Sequence, residues 1–294
     1  MDDSPLVEAI EPEAAFSVLA DGSRLEILRA LWEADGQEAT FSELRNAVGM
    51  RDSGKFNYHL SKLRGRFVRK TDDGYELQPV GHHVVGAVLA GGYTMSADLE
   101  PFTLEDHCPV CNGELAFTYE VERARINCQN CSYGNAFPVP PGAFADYSID
   151  RFPEVANRYV RTLLTHARSG FCSACEGRVG PELTTFGSLK SDDVPPEFAD
   201  VVAVVYDCDR CGMRTYINLS TALLDHPRVS AFHYDRGVDV RDVPIWNLGT
   251  VDGEPQSAML ADEPGTARVT YGVDGHELTL TVDDSLQVVD LEPP

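Results

Sequence analysis

Apolar positions in the first 94 residues recur at helical spacing and then give way to short alternation. After Asp21, a residue type that caps helix N-termini, Leu25, Leu28, Ala30, Leu31 and Trp32 form a broad apolar face and predict a helix over 23–34. Thr40-Phe-Ser-Glu43 has the form of a capping box and predicts a short helix to about Val48, ended by Gly49. A third helix is predicted over 53–64, with Phe56, Leu60 and Leu63 facing inward. The runs 67–70 and 75–77, joined through Thr71-Asp-Asp-Gly74, predict a hairpin. Pro79 then opens a helix with Val84, Val85, Val88 and Leu89 on its apolar side. Farther on, Val155, Tyr159, Val160, Leu163 and Leu164 mark an amphipathic helix over 153–168, and Pro227 opens another to Asp235. Strand-like runs lie at 115–121, 124–127 and 201–206, and the two prolines within 192–197 indicate an exposed loop. Alternating runs at 257–261, 267–271, 277–282 and 285–291 predict a β-meander. Phe232, Tyr234 and Trp246 are expected in the core, with the lining of a ligand pocket as the alternative.

Two helices, a short turn, a third helix, a hairpin and a closing helix make the order of a winged helix-turn-helix. The run Leu-Ala-Asp-Gly-Ser-Arg-Leu-Glu-Ile-Leu-Arg-Ala-Leu at 19–31, followed by Phe-Asn-Tyr-His-Leu-Ser-Lys-Leu at 56–63, resembles the arsenic-repressor-type (ArsR-like) family of dimeric regulators. The resemblance covers about residues 10–90. It implies that the 53–64 helix enters the major groove, that the hairpin flanks the backbone, and that the outer helices form a homodimer. With Phe56, Leu60 and Leu63 inward, Lys55, Asn57, Tyr58, Ser61 and Lys62 point outward or flank the groove, in residue types suited to reading bases. Arg51, Arg66, Arg69 and Lys70 are placed for phosphates. His59 reads as a packing residue. The sequence departs from the metal-sensing branch of that family: 41–48 holds no cysteine, and His82 and His83 lack the spaced acidic and histidine partners of the other sensor site.

All eight cysteines occur as CxxC pairs: Cys108/Cys111, Cys128/Cys131, Cys172/Cys175 and Cys208/Cys211. A two-residue spacer lets both sulfurs of a tight turn face one tetrahedral ion. Glycines at 113, 134, 177 and 212 follow the pairs and are expected to supply positive φ. Disulfides suit an oxidising compartment, and thiol-redox chemistry would use one CxxC rather than four, so two structural Zn2+ ions per chain are expected. Pairing in sequence order is expected, although spacing alone leaves crossed partners open. Cys-Pro-Val-Cys-Asn-Gly-Glu-Leu115 parallels Cys-Ser-Ala-Cys-Glu-Gly-Arg-Val179, so the two ribbons read as a diverged repeat, with matching helical starts after Val139 and Leu219. Four thiolates close the coordination shell, and the ions would fix a small domain without a large core. The expected fold class is α+β. Residues 1–94 form a winged helix-turn-helix, 95–168 a first zinc-ribbon-like module with a linking helix, 169–250 a second module with a helical segment, and 251–294 a β-meander.

Charge sharpens this picture. The formal net charge is −23, from 47 acidic residues against 24 basic ones, and only Lys55, Lys62, Lys70 and Lys190 are lysines. An acidic, lysine-poor chain resembles proteins of salt-accumulating haloarchaea, where molar salt screens self-repulsion. Residues 45–70 nevertheless carry five arginines, three lysines and the single acid Asp52, a basic island that marks a candidate phosphate-contacting surface. Hydrophobic residues make up 43%, which suits packed domains, and no run approaches the ~20 apolar residues of a spanning helix. Met1-Asp2-Asp3 lacks a basic, apolar signal, so a cytoplasmic location and no membrane partner are expected. A winged helix followed by two ribbons looks like regulators common in haloarchaea, a likeness that brings no identified effector.

The expected function is therefore sequence-specific binding of double-stranded DNA by a homodimeric transcription regulator. The alternative is a basal or adaptor factor that contacts polymerase, as archaeal initiation factor E joins a winged helix to a zinc ribbon. Against it stand the basic helix and the second ribbon. No nucleophile–base pair, phosphate loop or open metal site is evident, so no enzymatic activity is expected.

Overall fold

The computed structural model describes residues 11–189, 194–247, 250–251 and 254–292. It divides into two compact units, one up to residue 95 and one from residue 96 onward. Both mix helices with small antiparallel sheets. Met1, Asp2, Asp3, Lys190 and the start of the loop expected at 192–197 lie outside the described residues.

In the first unit, α1 (Pro12–Leu19) and α2 (Gly22–Glu33) precede β1 (Glu38–Ala39), α3 (Phe41–Ala47) and α4 (Ser53–Leu63). The hairpin β2 (Val68–Lys70) and β3 (Tyr75–Leu77) follows, and α5 (Pro79–Ala90) closes the unit; the sheet runs β1-β3-β2. Local chemistry sets the starts. The Asp21 carboxylate accepts the Ser23 N–H at 2.9 Å. Thr40 and Glu43 form a reciprocal capping box at 3.3 and 2.8 Å. Asp52 accepts from Gly54 and Lys55 at 2.8 and 3.0 Å. Ile27, Leu28 and Leu31 of α2, Leu44 of α3, and Phe56, Leu60 and Leu63 of α4 share one core with Phe67, Val68, Tyr75, Leu77 and Val85. The outer helices contribute little to it. α1 buries none of its residues and leaves Phe16 69% exposed, while α5 buries only Gly81 and Val85 and exposes Val80 and Leu89. His82 meets Trp32 edge-on at 5.6 Å, and His83 is exposed.

The second unit begins with a four-stranded antiparallel meander: β4 (Leu99–His107), β5 (Glu114–Glu120), β6 (Arg123–Cys128) and β7 (Gly134–Pro138). Its inner face, with Leu115, Phe117, Tyr119, Ala124 and Ile126, packs against Val155, Ala156, Val160 and Leu164 of α6 (Phe152–Arg168). A three-stranded sheet follows, built from β8 (Val179–Thr185), β9 (Val202–Cys208) and β10 (Arg214–Asn218), then α7 (Leu219–Ala222) and α8 (Pro227–Tyr234). After a small hairpin, β11 (Thr250–Val251) and β12 (Glu254–Pro255), the chain ends in a second meander. Its strands are β13 (Ser257–Asp262), β14 (Gly265–Val273), β15 (His276–Asp283) and β16 (Val288–Glu292). Alternation puts Ala267, Val269 and Tyr271 opposite Val282, Leu280 and Leu278 on one buried face.

That face joins Val179, Leu183, Val202, Val204 and Tyr206 in a single core, which also takes in Leu219, Val229 and Phe232. The boundary expected at 250 thus cuts through a shared core, and the second ribbon rests on a substantial apolar interior rather than on metal ligands alone. Residues 240–247 form a strap between the two cores of this unit: Val240 is buried in the second core, Ile245 and Trp246 in the first. Helix α6 holds it. The Arg161 guanidinium donates to the Val240 and Val243 carbonyls, each at 2.7 Å, and burial pulls its pKa down. The buried Asn157 amide oxygen accepts the Ile245 N–H at 3.0 Å and the Arg161 Nε–H at 3.3 Å. Phe232 and Trp246 are core residues as expected, but Tyr234 is 68% exposed, because the short α8 turns Val229, Phe232 and His233 inward.

Candidate functional site

The eight cysteines form two groups in sequence order, Cys108/Cys111/Cys128/Cys131 and Cys172/Cys175/Cys208/Cys211, and within each group the sulfurs lie within 4.8 Å of one another. The Sγ separations are 3.7 Å for Cys108–Cys131, 3.4 Å for Cys111–Cys128, 3.7 Å for Cys172–Cys211 and 3.5 Å for Cys175–Cys208. Four sulfurs placed tetrahedrally ~2.3 Å from one ion stand about 3.8 Å apart. Disulfide sulfurs lie at about 2.05 Å, so the spacing fits a shared cation and not a bridge.

Each CxxC turn is built the same way. The N–H of its first cysteine donates to the carbonyl five residues on: Cys108 to Gly113, Cys128 to Tyr133, Cys172 to Gly177 and Cys208 to Met213, at 2.8–2.9 Å. The N–H groups of Asn130 and Ala174 point at the sulfurs of Cys128 and Cys172 at 3.3 and 3.4 Å. A cross-link recurs as well: Gln129 N–H donates to Glu114 O at 2.9 Å, and Asp209 N–H to Arg178 O at 3.1 Å. Leu115 pairs with Cys128 and Val179 with Cys208, so the repeat read from the sequence keeps its register. Short helical turns follow both ribbons, Pro141–Phe144 in the first and α7 in the second.

The glycines serve differently from expectation. Positive φ falls on the residue after the pair, at Asn112 (57°), Glu176 (55°) and Gly212 (70°), so only Gly212 has the expected role. Gly177 is needed for room: a Cβ there would lie 3.0 Å from the sulfurs of both Cys175 and Cys208. At Gly113 the obstacle would be the Asn130 side chain, at 2.8 Å.

The thiols divide electrostatically. Burial raises the Cys128 pKa, but the Asn130 and Cys131 N–H groups and the Cys111 thiol outweigh it and bring it to about 7. The Cys211 N–H leads in lowering Cys208 to about 6. Burial, reinforced by neighbouring thiols, raises Cys131 and Cys175 to about 12. A bound cation reverses that penalty by replacing the protons. Four thiolates would fill a tetrahedral shell and leave no open position.

All nine candidate contact residues on the basic island, Arg51, Lys55, Asn57, Tyr58, Ser61, Lys62, Arg66, Arg69 and Lys70, are exposed, while Phe56, His59, Leu60 and Leu63 hold α4 from the other side. Asp52, the one acid there, is consumed by capping; the Lys55 and Gly54 N–H groups lower its pKa. Arg69 pairs with Glu76 across the hairpin, and the Ser61 hydroxyl donates to the Tyr58 carbonyl at 2.7 Å, so neither group is wholly free. Tyr58 has cations near its ring, Lys62 Nζ at 5.5 Å and Arg24 Cζ at 6.0 Å. Arg24 escaped sequence reasoning because it lies on α2, outside the basic island.

Residues 105–288 match the family model for a domain of unknown function, DUF7351. The chain belongs to that family. The DUF7351 match spans both cysteine clusters, α6, the strap and most of the terminal meander. Residues 12–88, from α1 into α5, match a second domain of unknown function, DUF7347. No curated protein and no solved structure matches the chain. Among the described residues, no helix is long and apolar enough to cross a membrane.

Proposed function

We propose that the chain is a sequence-specific DNA-binding transcription regulator that acts as a homodimer and holds one structural zinc ion in each four-cysteine cluster. The observation that carries this reading is α4. Its apolar side is fully engaged, its outward side offers Lys55, Asn57, Tyr58 and Lys62, and Asp52, the one acid within residues 45–70, is used as a cap. Helices α3 and α4 followed by the β2–β3 hairpin have the order of a winged helix-turn-helix, and that order supports a reading in which α4 enters the major groove and the hairpin lies against the backbone. The under-used apolar faces of α1 and α5 supply the dimer contact. Zinc is favoured by four soft ligands at tetrahedral spacing, and a closed thiolate shell favours structure over catalysis.

The reading is tested by selecting bound duplexes from a random pool with the purified protein at high salt. Enrichment of a two-fold symmetric motif is the expected result, lost in Lys55→Ala/Tyr58→Ala. No enrichment, or equal enrichment with that variant, overturns it.

A further inference from the structure

The first cysteine cluster is tied to the rest of its unit by side chains one or two residues from its ligands. Tyr133, two residues beyond Cys131, donates its hydroxyl to the Trp246 carbonyl at 2.5 Å and meets the Phe198 ring edge-on at 6.3 Å. Asp106, two residues before Cys108, accepts the Trp246 indole N–H at 3.4 Å. The Ser132 hydroxyl donates to Glu197, in the excursion between β8 and β9. Trp246 belongs to the strap, whose other end, Val240, is buried in the core that contains Cys172 and Cys208. Ile217, on the strand after Cys211, packs against both cores. A continuous path of packed and hydrogen-bonded groups therefore runs from one cluster to the other.

We infer that the two four-cysteine sites are thermodynamically coupled through the 240–247 strap, so that a cation in one raises the affinity of the other; this rests on the metal reading above. Without an ion, the 108–111 and 128–131 turns keep the Gln129 N–H to Glu114 O bond and the β5–β6 pairing but lose the link between their sulfurs, so the turn beside Tyr133 is held less firmly. The strap is then held less firmly at the Trp246 carbonyl. An ion that binds first orders these groups, and the second ion binds a chain whose ordering entropy is already spent. Linkage makes the effect reciprocal, and couplings of this kind usually span about 5–150-fold in affinity.

The test uses the full chain, stripped of metal and titrated with cobalt(II), whose thiolate complexes absorb light. The wild type gives the overall two-ion constant, Cys128→Ser the second site alone and Cys208→Ser the first site alone. The overall constant should exceed the product of the single-site constants by about tenfold. Tyr133→Phe keeps all eight cysteines and should still take up two ions, with that excess reduced. An overall constant equal to the product overturns the coupling, and an excess untouched by Tyr133→Phe overturns the strap as its route. A wild-type chain that takes up no thiolate-bound cobalt overturns the metal reading instead, an outcome told apart by stoichiometry.

Discussion

Replacing Asn157 by alanine is expected to destabilise the second unit out of proportion to the atoms removed. The side chain is 5% exposed, and its oxygen serves two donors, the buried Ile245 N–H and the Arg161 Nε–H. Deleting it leaves a buried backbone N–H without a partner, at about 1–3 kcal/mol, and removes a hydrogen bond from a charged donor. Arg161 also loses part of what aims its guanidinium at the Val240 and Val243 carbonyls, so the combined loss is about 2–4 kcal/mol. For a unit of this size that lowers Tm by roughly 5–15 °C. Urea unfolding followed by Trp246 emission in a Trp32→Phe background reads this unit alone, since the chain's other tryptophan lies in the first unit. Asn157→Asp keeps an acceptor for both donors beside a cation and should retain most of the stability at neutral pH. If Asn157→Ala falls within about 0.5 kcal/mol of wild type, the size of an ordinary surface change, the claim that α6 clamps the strap is refuted.

Other perturbations address separate links in the argument. Val121 and Glu122 turn the β5–β6 hairpin with φ of 48° and 58°, a conformation that suits Asn-Gly; Val121→Asn/Glu122→Gly should raise stability by about 1–2 kcal/mol, read as a higher urea midpoint at constant slope. Cys128→Ser should reduce zinc content by about one ion per chain by elemental analysis, and a full complement would mean the first cluster is misread. Lys62→Ala should flatten the slope of log affinity against log salt on duplex DNA by about 0.9 if its ammonium meets a phosphate. Phe16→Glu/Leu89→Glu should convert the proposed dimer to monomer in sedimentation, and an unchanged mass would place the dimer contact elsewhere.

Local structure was legible wherever neighbouring residues determine it. Asp21, Thr40, Glu43 and Asp52 act within four residues of their own positions, and Phe56, Leu60 and Leu63 declare a helix face by spacing alone. The cysteine clusters were legible because a metal shell constrains residue type and spacing together. What stayed hidden depends on distant partners. Asn157 reads as an ordinary polar position on a helix until Ile245, 88 residues away, arrives at its oxygen. Strand β4 carries Leu99, Phe102 and Leu104 among acidic residues, too weak an alternation to stand out before β5 pairs with it. Gly212 has the positive φ its place suggests, whereas the need for Gly177 comes from close approach to the sulfurs of Cys175 and Cys208, which leaves no periodic mark.

The strap also imposes an order on how the chain can mature. Cys131 leaves the ribosome long before Ile245 and Trp246, which supply the floor of the first core, and the second cluster's shared interior waits for β14 and β15. The first core is complete only once Trp246 has been made, and the second only once the chain has reached about residue 282. Synthesis therefore holds an interval in which thiols are displayed to the cell without their surroundings. If the clusters take up metal as proposed, an ion that binds during this interval meets sulfurs that their cores do not yet shield.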